Sequence, residues 1–382
     1  MKIYNVKSGD SIFSIAQKSA VTSKSIVNIN GLTQPQRLVI GMNLVIPTQP
    51  LYDMQMLKTY VETLGYYAPN SYKNAISLID NLGQLFTYLG IYYFHVIATG
   101  EIVEDINLNI LTISQKKKIS FLPVVTNMTG GTFSSELARA ILSNIAILNN
   151  FVDNILKLLQ KYNLQGINID FENLYPADRN LFTRFIRILS QALHRNNKIL
   201  VVNIAPKWQE WPEKEWVGFF DYNALGPYID IAAIMTYEWG WREGTPRPTA
   251  PIKYIKQSLD YAVANNIPSN KILMGITLYG YDWNISNKMK NIATTVTISQ
   301  VWDLARMHNA SIYFDVDSRQ PYMKYIDFNN EYHVVWFEDA LSHYWKYQLV
   351  KDYNLRGAFY WTLNLPFSST WYILSNIFKI KK

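Results

Sequence analysis

Gln165-Gly166-Ile167-Asn168-Ile169-Asp170-Phe171-Glu172 alternates apolar and polar side chains from Ile167 onward. In a β-strand successive side chains point to opposite faces. Asn168, Asp170 and Glu172 therefore share one face, and Ile167, Ile169 and Phe171 the other. A rise of about 3.3 Å per residue puts the two carboxylates roughly 7 Å apart. A strand buried on both sides normally reads apolar throughout. Two acids on the inner face of such a strand are costly unless paired or hydrated, and that cost marks a site. The rival reading is an exposed edge strand whose acids are simply solvated.

The flanks favour the buried strand. Tyr162-Asn163-Leu164 reads as a helix end and Asn173 to Ala177 as a loop. Asp178 is placed to cap a helix running to about His194. Helix, strand, loop, helix is the grammar of a parallel α/β fold. Glu172 then lies at the carboxyl end of its strand, where such folds carry their chemistry.

The same alternation of apolar runs and amphipathic stretches continues from about residue 58. Candidate strands are Leu64–Tyr67, Leu89–Ile97, Ile119–Thr126, Gly166–Glu172, Leu200–Ala205, Ile229–Tyr237, Ile272–Tyr279 and Gly357–Trp361. Helical segments are expected at Ser134–Leu159, Asp178–His194, Ile252–Asn265 and Asp339–Tyr353. Eight such units predict a (β/α)8 barrel over residues 52–382. Residues 311–337 read as a small antiparallel insertion before the last strand. There Ser311–Phe314 and Tyr332–Phe337 are the strands and Phe328-Asn329-Asn330-Glu331 is a polar turn.

The first 48 residues form a separate unit with the pattern strand, helix, helix, strand. Asp10 or Ser11 is placed to cap the first helix, and Gly41 to turn the chain before the last strand. Tyr4-Asn5-Val6-Lys7-Ser8-Gly9-Asp10-Ser11-Ile12, Asn30-Gly31-Leu32 and Leu44-Val45-Ile46-Pro47 closely resemble a LysM domain. That resemblance implies binding of N-acetylglucosamine-containing chains, as in peptidoglycan or chitin. The implied ligand residues are Gly9, Asp10, Ser11 and Ile12 in one loop and Asn30, Gly31 and Leu32 in the other. A small βααβ domain with another role is the alternative. No second copy follows.

Composition bounds the rest. With 49% hydrophobic and 17% charged residues the chain is globular. No run approaches about 18 apolar residues, so no membrane span is expected. Cysteine is absent, which excludes disulfides, thiol nucleophiles and cysteine metal sites. A net charge of +7 without a concentrated basic block points to no nucleic acid, and suits an anionic wall polymer. The 27 Tyr and 11 Trp suit flat sugar faces as well as a core. The amino terminus has no apolar signal segment, so the chain is expected to stay where it is made or to be a mature form.

Residues 165–172 resemble the signature of glycoside hydrolase family 18, Asp-Gly-x-Asp-x-Asp-x-Glu. Gly166, Asp170 and Glu172 match it, whereas Gln165 and Asn168 replace acids by uncharged polar residues. Met235-Thr236-Tyr237-Glu238 resembles the family's Met-x-Tyr-Asp, with Glu238 in place of the aspartate. Trp361 ends the last strand, as does the family's pocket-floor tryptophan. The resemblance implies that Glu172 is the general acid and then the base. It implies that Asp170 orients the substrate's N-acetyl group, and that Tyr237 hydrogen-bonds the acetamide oxygen. Asn168, Trp361, Glu238, Tyr67, Phe94 and Tyr279 are the further substrate-binding candidates. In this family the substrate's own acetamide is the nucleophile, an exception to the two-carboxylate scheme. Asn168 cannot share a proton with Asp170, so Asp170 is expected to stay ionised and to bond the Asn168 amide. No cofactor and no metal is required. Mg²⁺ held by Asp170 and Glu172 is the rival chemistry.

A LysM unit joined to such a barrel resembles the spore cortex-lytic N-acetylglucosaminidases of spore-forming bacteria, on Asn168–Asn173, Met235–Trp241 and Val335–Asp339. One LysM unit where two are commoner is the departure. The expected substrate is cortex peptidoglycan or its fragments, cleaved at β-1,4 bonds of N-acetylglucosamine by a spore- or wall-associated monomer. A chitinase and a catalytically silent sugar-binding protein are the alternatives, and the intact Glu172, Asp170 and Tyr237 argue against silence.

Overall fold

The computed structural model describes residues 1–48, 58–68, 72–104, 106–286 and 292–382. Eight parallel strands, Thr59–Tyr67, Tyr88–Val96, Ser120–Thr126, Gly166–Asp170, Ile199–Ile204, Ile231–Ile234, Ile272–Thr277 and Gly357–Trp361, pair in chain order. The first pairs with both the second and the eighth, which closes the barrel. The acid-bearing fourth strand is paired on both sides, Asn168 lying opposite Val124 and Val201. It is therefore no edge strand, and its acids are not simply solvated.

The apolar face of that strand explains its position. Phe171 packs in a stacked group with Phe151 and Phe185 from the two neighbouring helices. All three rings are buried, and each such burial contributes about 1.5–3 kcal/mol.

Three strands stop two or more residues before the end that the sequence predicts. The fourth stops at Asp170, and Glu172 is in the following loop, just before Asn173 with φ 56°. The Asn127 side chain takes over the backbone there, accepting from Glu172 N at 3.0 Å and donating to Glu172 O at 2.9 Å. The sixth stops at Ile234, and Tyr237 N bonds Met235 O instead of a neighbouring strand. The seventh stops at Thr277, and Gly280–Asn284 already belongs to the insertion.

That insertion is larger than expected. It is a five-stranded antiparallel sheet in the order Thr294–Val296, Gly280–Asn284, Tyr332–Trp336, Gln320–Ile326, Ile312–Asp315, with a helix at Ile298–Met307. The polar turn after Asp327 joins Gln320–Ile326 to Tyr332–Trp336. Asp282, inside an apolar strand, is satisfied by the Tyr325 hydroxyl at 2.6 Å and His333 Nδ1 at 2.8 Å.

Two helix expectations also change. Ser134–Leu159 is two helices, Ser135–Ser143 and Ile145–Lys161, because the Asn144 side chain accepts from Ala146 N and Ile147 N and starts a new one. Asp178 precedes the helix Arg179–Arg195 but does not cap it, since both its oxygens are held by Arg139 Nε at 3.1 and 2.9 Å.

The amino-terminal unit has the expected order: Lys2–Asn5, Ile12–Lys18, Ser23–Asn30 and Asn43–Ile46, the two strands antiparallel. Ser11 caps the first helix, whereas Asp10 accepts from the Tyr4 hydroxyl and Lys7 N, both at 2.8 Å. This unit is seated on the barrel. Asn43 Nδ2 donates to the buried Asp339 at 2.6 Å, and Ile312 N to Ile40 O at 2.9 Å. A Cβ on Gly41 (φ 90°) would fall 1.8 Å from the Ile312 carbonyl oxygen, so only glycine fits that seam. The apolar core runs on without a break from Ile15 and Ile26 into the barrel.

Candidate active site

A cavity of about 1110 Å³ opens at the carboxyl ends of the barrel strands. Asp170, Glu172, Tyr237, Glu238 and Trp361 all line it, as does Phe94. They come from the second, fourth, sixth and eighth strands or the loops that follow, so barrel closure brings together residues up to 267 positions apart in sequence.

Asp170 is wholly buried, and its Oδ1 has no hydrogen-bond partner. Burial drives its carboxyl above the usual range, against hydrogen bonds from Tyr92 and Asn203 that favour the charge. Glu172 is raised further, first by burial and then by the nearby Asp170 charge. Its Oε2 accepts from Trp216 Nε1 at 3.2 Å, which opposes the rise. Two carboxyls are thus held in different protonation regimes. Burial raises both, Asp170 to about 6 and Glu172 further, to about 8.

The Asn168 amide does not bond Asp170. Its Nδ2 donates to the Tyr66 hydroxyl and to Asn203 Oδ1, both at 3.0 Å, in a layer below the cavity. The Tyr66 hydroxyl in turn donates to Asn203 Oδ1 at 2.5 Å. Asn203 links this layer to the mouth, donating to the Tyr92 hydroxyl at 3.1 Å. So the uncharged residue at 168 belongs to a neutral amide and phenol network. Asp170 itself, raised by burial to about 6, is the more readily ionised of the two carboxyls.

Tyr237 is buried at the cavity wall, edge-on to Phe359. Glu238 has φ 63° and accepts from the Tyr279 and Tyr281 hydroxyls, each at 2.7 Å. Tyr279 therefore holds a lining residue and does not itself line the cavity; Tyr67 and Asn168 do not line it either. The Trp361 and Tyr92 rings meet edge to face with centroids 4.9 Å apart, and the Trp361–Thr362 peptide is cis. Asn127, Tyr92, Asn203 and Trp216 are the polar contacts that sequence reading missed. Asn203 was visible as the one polar residue in Leu200–Ala205. Tyr92 and Trp216 carry no local signal.

In the amino-terminal unit, Ile12, Asn30 and Leu32 are buried. Asn30 bonds Ile26 O, Val45 O and Val45 N. Gly9 and Ser11 are exposed, and Gly31 (φ 63°) lies against Ser368 of the barrel. Asp327, Glu331 and His333 bring three potential metal ligands within 4.8 Å of one another, in the insertion hairpin and away from the cavity. No described helix is long and apolar enough to cross a membrane.

Glycosyl hydrolases family 18 matches residues 62–365, and the LysM domain matches residues 4–47. The chain is 32% identical to the cortical fragment-lytic enzyme of Bacillus subtilis (strain 168), over 100% of this chain and 99% of that protein. The crystal structure of the spore cortex-lytic enzyme SleL of Bacillus cereus superposes with a TM-score of 0.92 at 31% identity, covering 100% and 99% of the two chains. A chitinase from Chromobacterium violaceum superposes with a TM-score of 0.76 at 27% identity, over 83% of this chain and 98% of that one.

Proposed function

Because the chain belongs to glycosyl hydrolases family 18 and is a glycoside hydrolase, we propose that it cleaves β-1,4 bonds of N-acetylglucosamine in spore-cortex peptidoglycan or its fragments. Catalysis is substrate-assisted and retains the anomeric configuration. The division of labour is between a LysM unit, residues 1–48, that meets the wall and a barrel, residues 52–382, that cuts. The observation that carries the reading is the convergence of Glu172, Asp170 and Tyr237 on one cavity, with Glu172 raised above Asp170.

The Glu172 proton goes to the glycosidic oxygen as the C1–O bond breaks. The acetamide oxygen of the same sugar bonds to C1, giving an oxazolinium ion. Asp170 holds the acetamide N–H and stabilises the positive charge that develops there. Tyr237 donates to the acetamide oxygen and aligns it. Water then attacks C1, and the Glu172 carboxylate takes its proton. The second displacement restores the original configuration. Trp361 offers an apolar ring to the sugar face.

The partner is a peptidoglycan or chitin-like glycan, and the place of action is the spore or the wall. The test is to digest purified cortex and colloidal chitin side by side and to analyse the new reducing ends. New N-acetylglucosamine ends from cortex are expected. Cleavage of chitin with cortex left intact would move the assignment to a chitinase, as the similarity to the Chromobacterium enzyme would then warrant.

A further inference from the structure

Trp216 lines the cavity, and the reaction above leaves its geometry unused. Its indole N–H donates to Glu172 Oε2 at 3.2 Å, and it is half-buried in the cavity wall. Its backbone is unusual. Trp216 has φ 69°, and Val217 N bonds Glu215 O at 2.9 Å, closing a three-residue γ-turn centred on the tryptophan. A bulky aromatic at positive φ in such a turn is strained, and the surrounding structure must hold it there.

What holds it is specific. Gly218 N bonds Lys214 O at 2.7 Å, and a Cβ on Gly218 would fall 2.6 Å from the Lys214 and Pro212 carbonyl oxygens. Arg179 Nη1 donates to Gly218 O at 2.9 Å, and its Nε bonds Asp221 at 3.1 Å. The buried Lys207 donates to Phe220 O at 2.5 Å. Two cations, one from the helix after the fourth strand and one from the end of the fifth, thus pin the main chain on the far side of the γ-turn.

We propose that Trp216 is a positioning residue for Glu172. Its N–H fixes one carboxyl oxygen, which leaves Oε1 to face the glycosidic oxygen, and it stabilises the carboxylate formed once the proton has gone. The Arg179 and Lys207 clamp keeps that donor in place. This rests on the assignment of Glu172 as the acid.

The test is Trp216→Phe, which keeps an aromatic ring and removes the donor. The bond favours the ionised form, so its loss raises the Glu172 pKa. The high-pH limb of kcat/KM should move up by about one unit, the scale of one hydrogen bond to a charged group. kcat should fall about tenfold, as expected of a mispositioned acid, with KM near its starting value. Thermal melting establishes that the variant is folded. A folded Trp216→Phe enzyme with an unmoved limb overturns the proposal. A second readout needs no variant of the loop. The indole ¹H–¹⁵N resonance of Trp216 should titrate with the same midpoint as the high-pH limb, and should not titrate in Glu172→Gln. An indole signal indifferent to pH in the unsubstituted enzyme also overturns it. If Glu172→Gln turns over normally, the fault lies with the acid assignment.

Discussion

The barrel mouth and the two loops of the LysM domain keep their polar groups in opposite states. In the mouth, Asp170 is buried with Oδ1 unpartnered, and Glu172 has Trp216 on one oxygen only. Burial holds both carboxyls above their usual range. In the LysM loops, Asp10 is taken by Tyr4 and Lys7, Ser11 by the helix it caps, and Asn30 by Ile26 and Val45. One region carries unspent hydrogen-bonding capacity and shifted protonation, which is what turnover needs. In the other the polar side chains are already spent within the unit itself. A buried unsatisfied group is costly, and among the described residues Asp170 Oδ1 is the one such atom that lies at the cavity.

The comparison breaks most easily at Glu172. Glu172→Gln keeps the shape and removes the proton. kcat should fall at least about 10²-fold, with wall binding by the LysM unit unchanged. Steady-state kinetics and a wall pull-down on one preparation check both halves. Near-normal turnover would remove the acid from its role.

Next in size is Asp170. Asp170→Ala should weaken a thiazoline mimic of the oxazolinium ion by about tenfold or more, because the contact strengthens as charge develops. Tyr237→Phe should weaken the same mimic by a smaller factor. Titration calorimetry measures both, and unchanged affinity in either would separate that residue from the acetamide.

The pH profile sharpens the contrast within the mouth itself. In the proposed mechanism Asp170 acts ionised; its carboxyl is pushed up to about 6, so the rate should rise as pH passes that value. Glu172, the proposed acid, acts protonated and is pushed up to about 8, so the rate should fall as pH climbs through it. A bell with its maximum between the two is expected for kcat/KM. A flat profile over that window would mean that neither group titrates as assigned.

The smallest effect tests the seam between the regions. Asn43→Ala leaves the buried Asp339 short of a donor and should cost about 1–3 kcal/mol of stability. Urea unfolding reads that cost, and kcat on a short soluble oligosaccharide should stay put. The same seam implies that removing residues 1–48 exposes apolar surface, since the two units share one core.

Much of this was legible in the sequence because periodicity and strand-end motifs are local. The eight strands, the acid pair, Tyr237 and Trp361 each announce themselves within a few residues. Contacts that cross the barrel do not. Nothing near Trp216 says that a γ-turn aims it at Glu172, and nothing near Asn168 says that Asn203 and Tyr66 claim its amide before Asp170 can. The insertion was under-read for a similar reason. Gly280–Asn284 follows directly on the seventh strand, and its place in the insertion shows only once its partners Thr294–Val296 and Tyr332–Trp336 are in place. The docking of the LysM unit rests on Gly41 and Asn43, whose partners lie about 270 and 296 residues away.

The most direct test of the mechanism uses two aryl β-glycosides that differ only at C2, one with an acetamido group and one with a hydroxyl. The measurement is kcat/KM for each, with the anomeric configuration of the first-formed product read by NMR. Hydrolysis of the acetamido substrate with retention, and no measurable turnover of the other, is the expected result. Comparable rates on both, or an inverted product, would contradict an acetamide nucleophile and with it the roles of Asp170 and Tyr237 in holding that group.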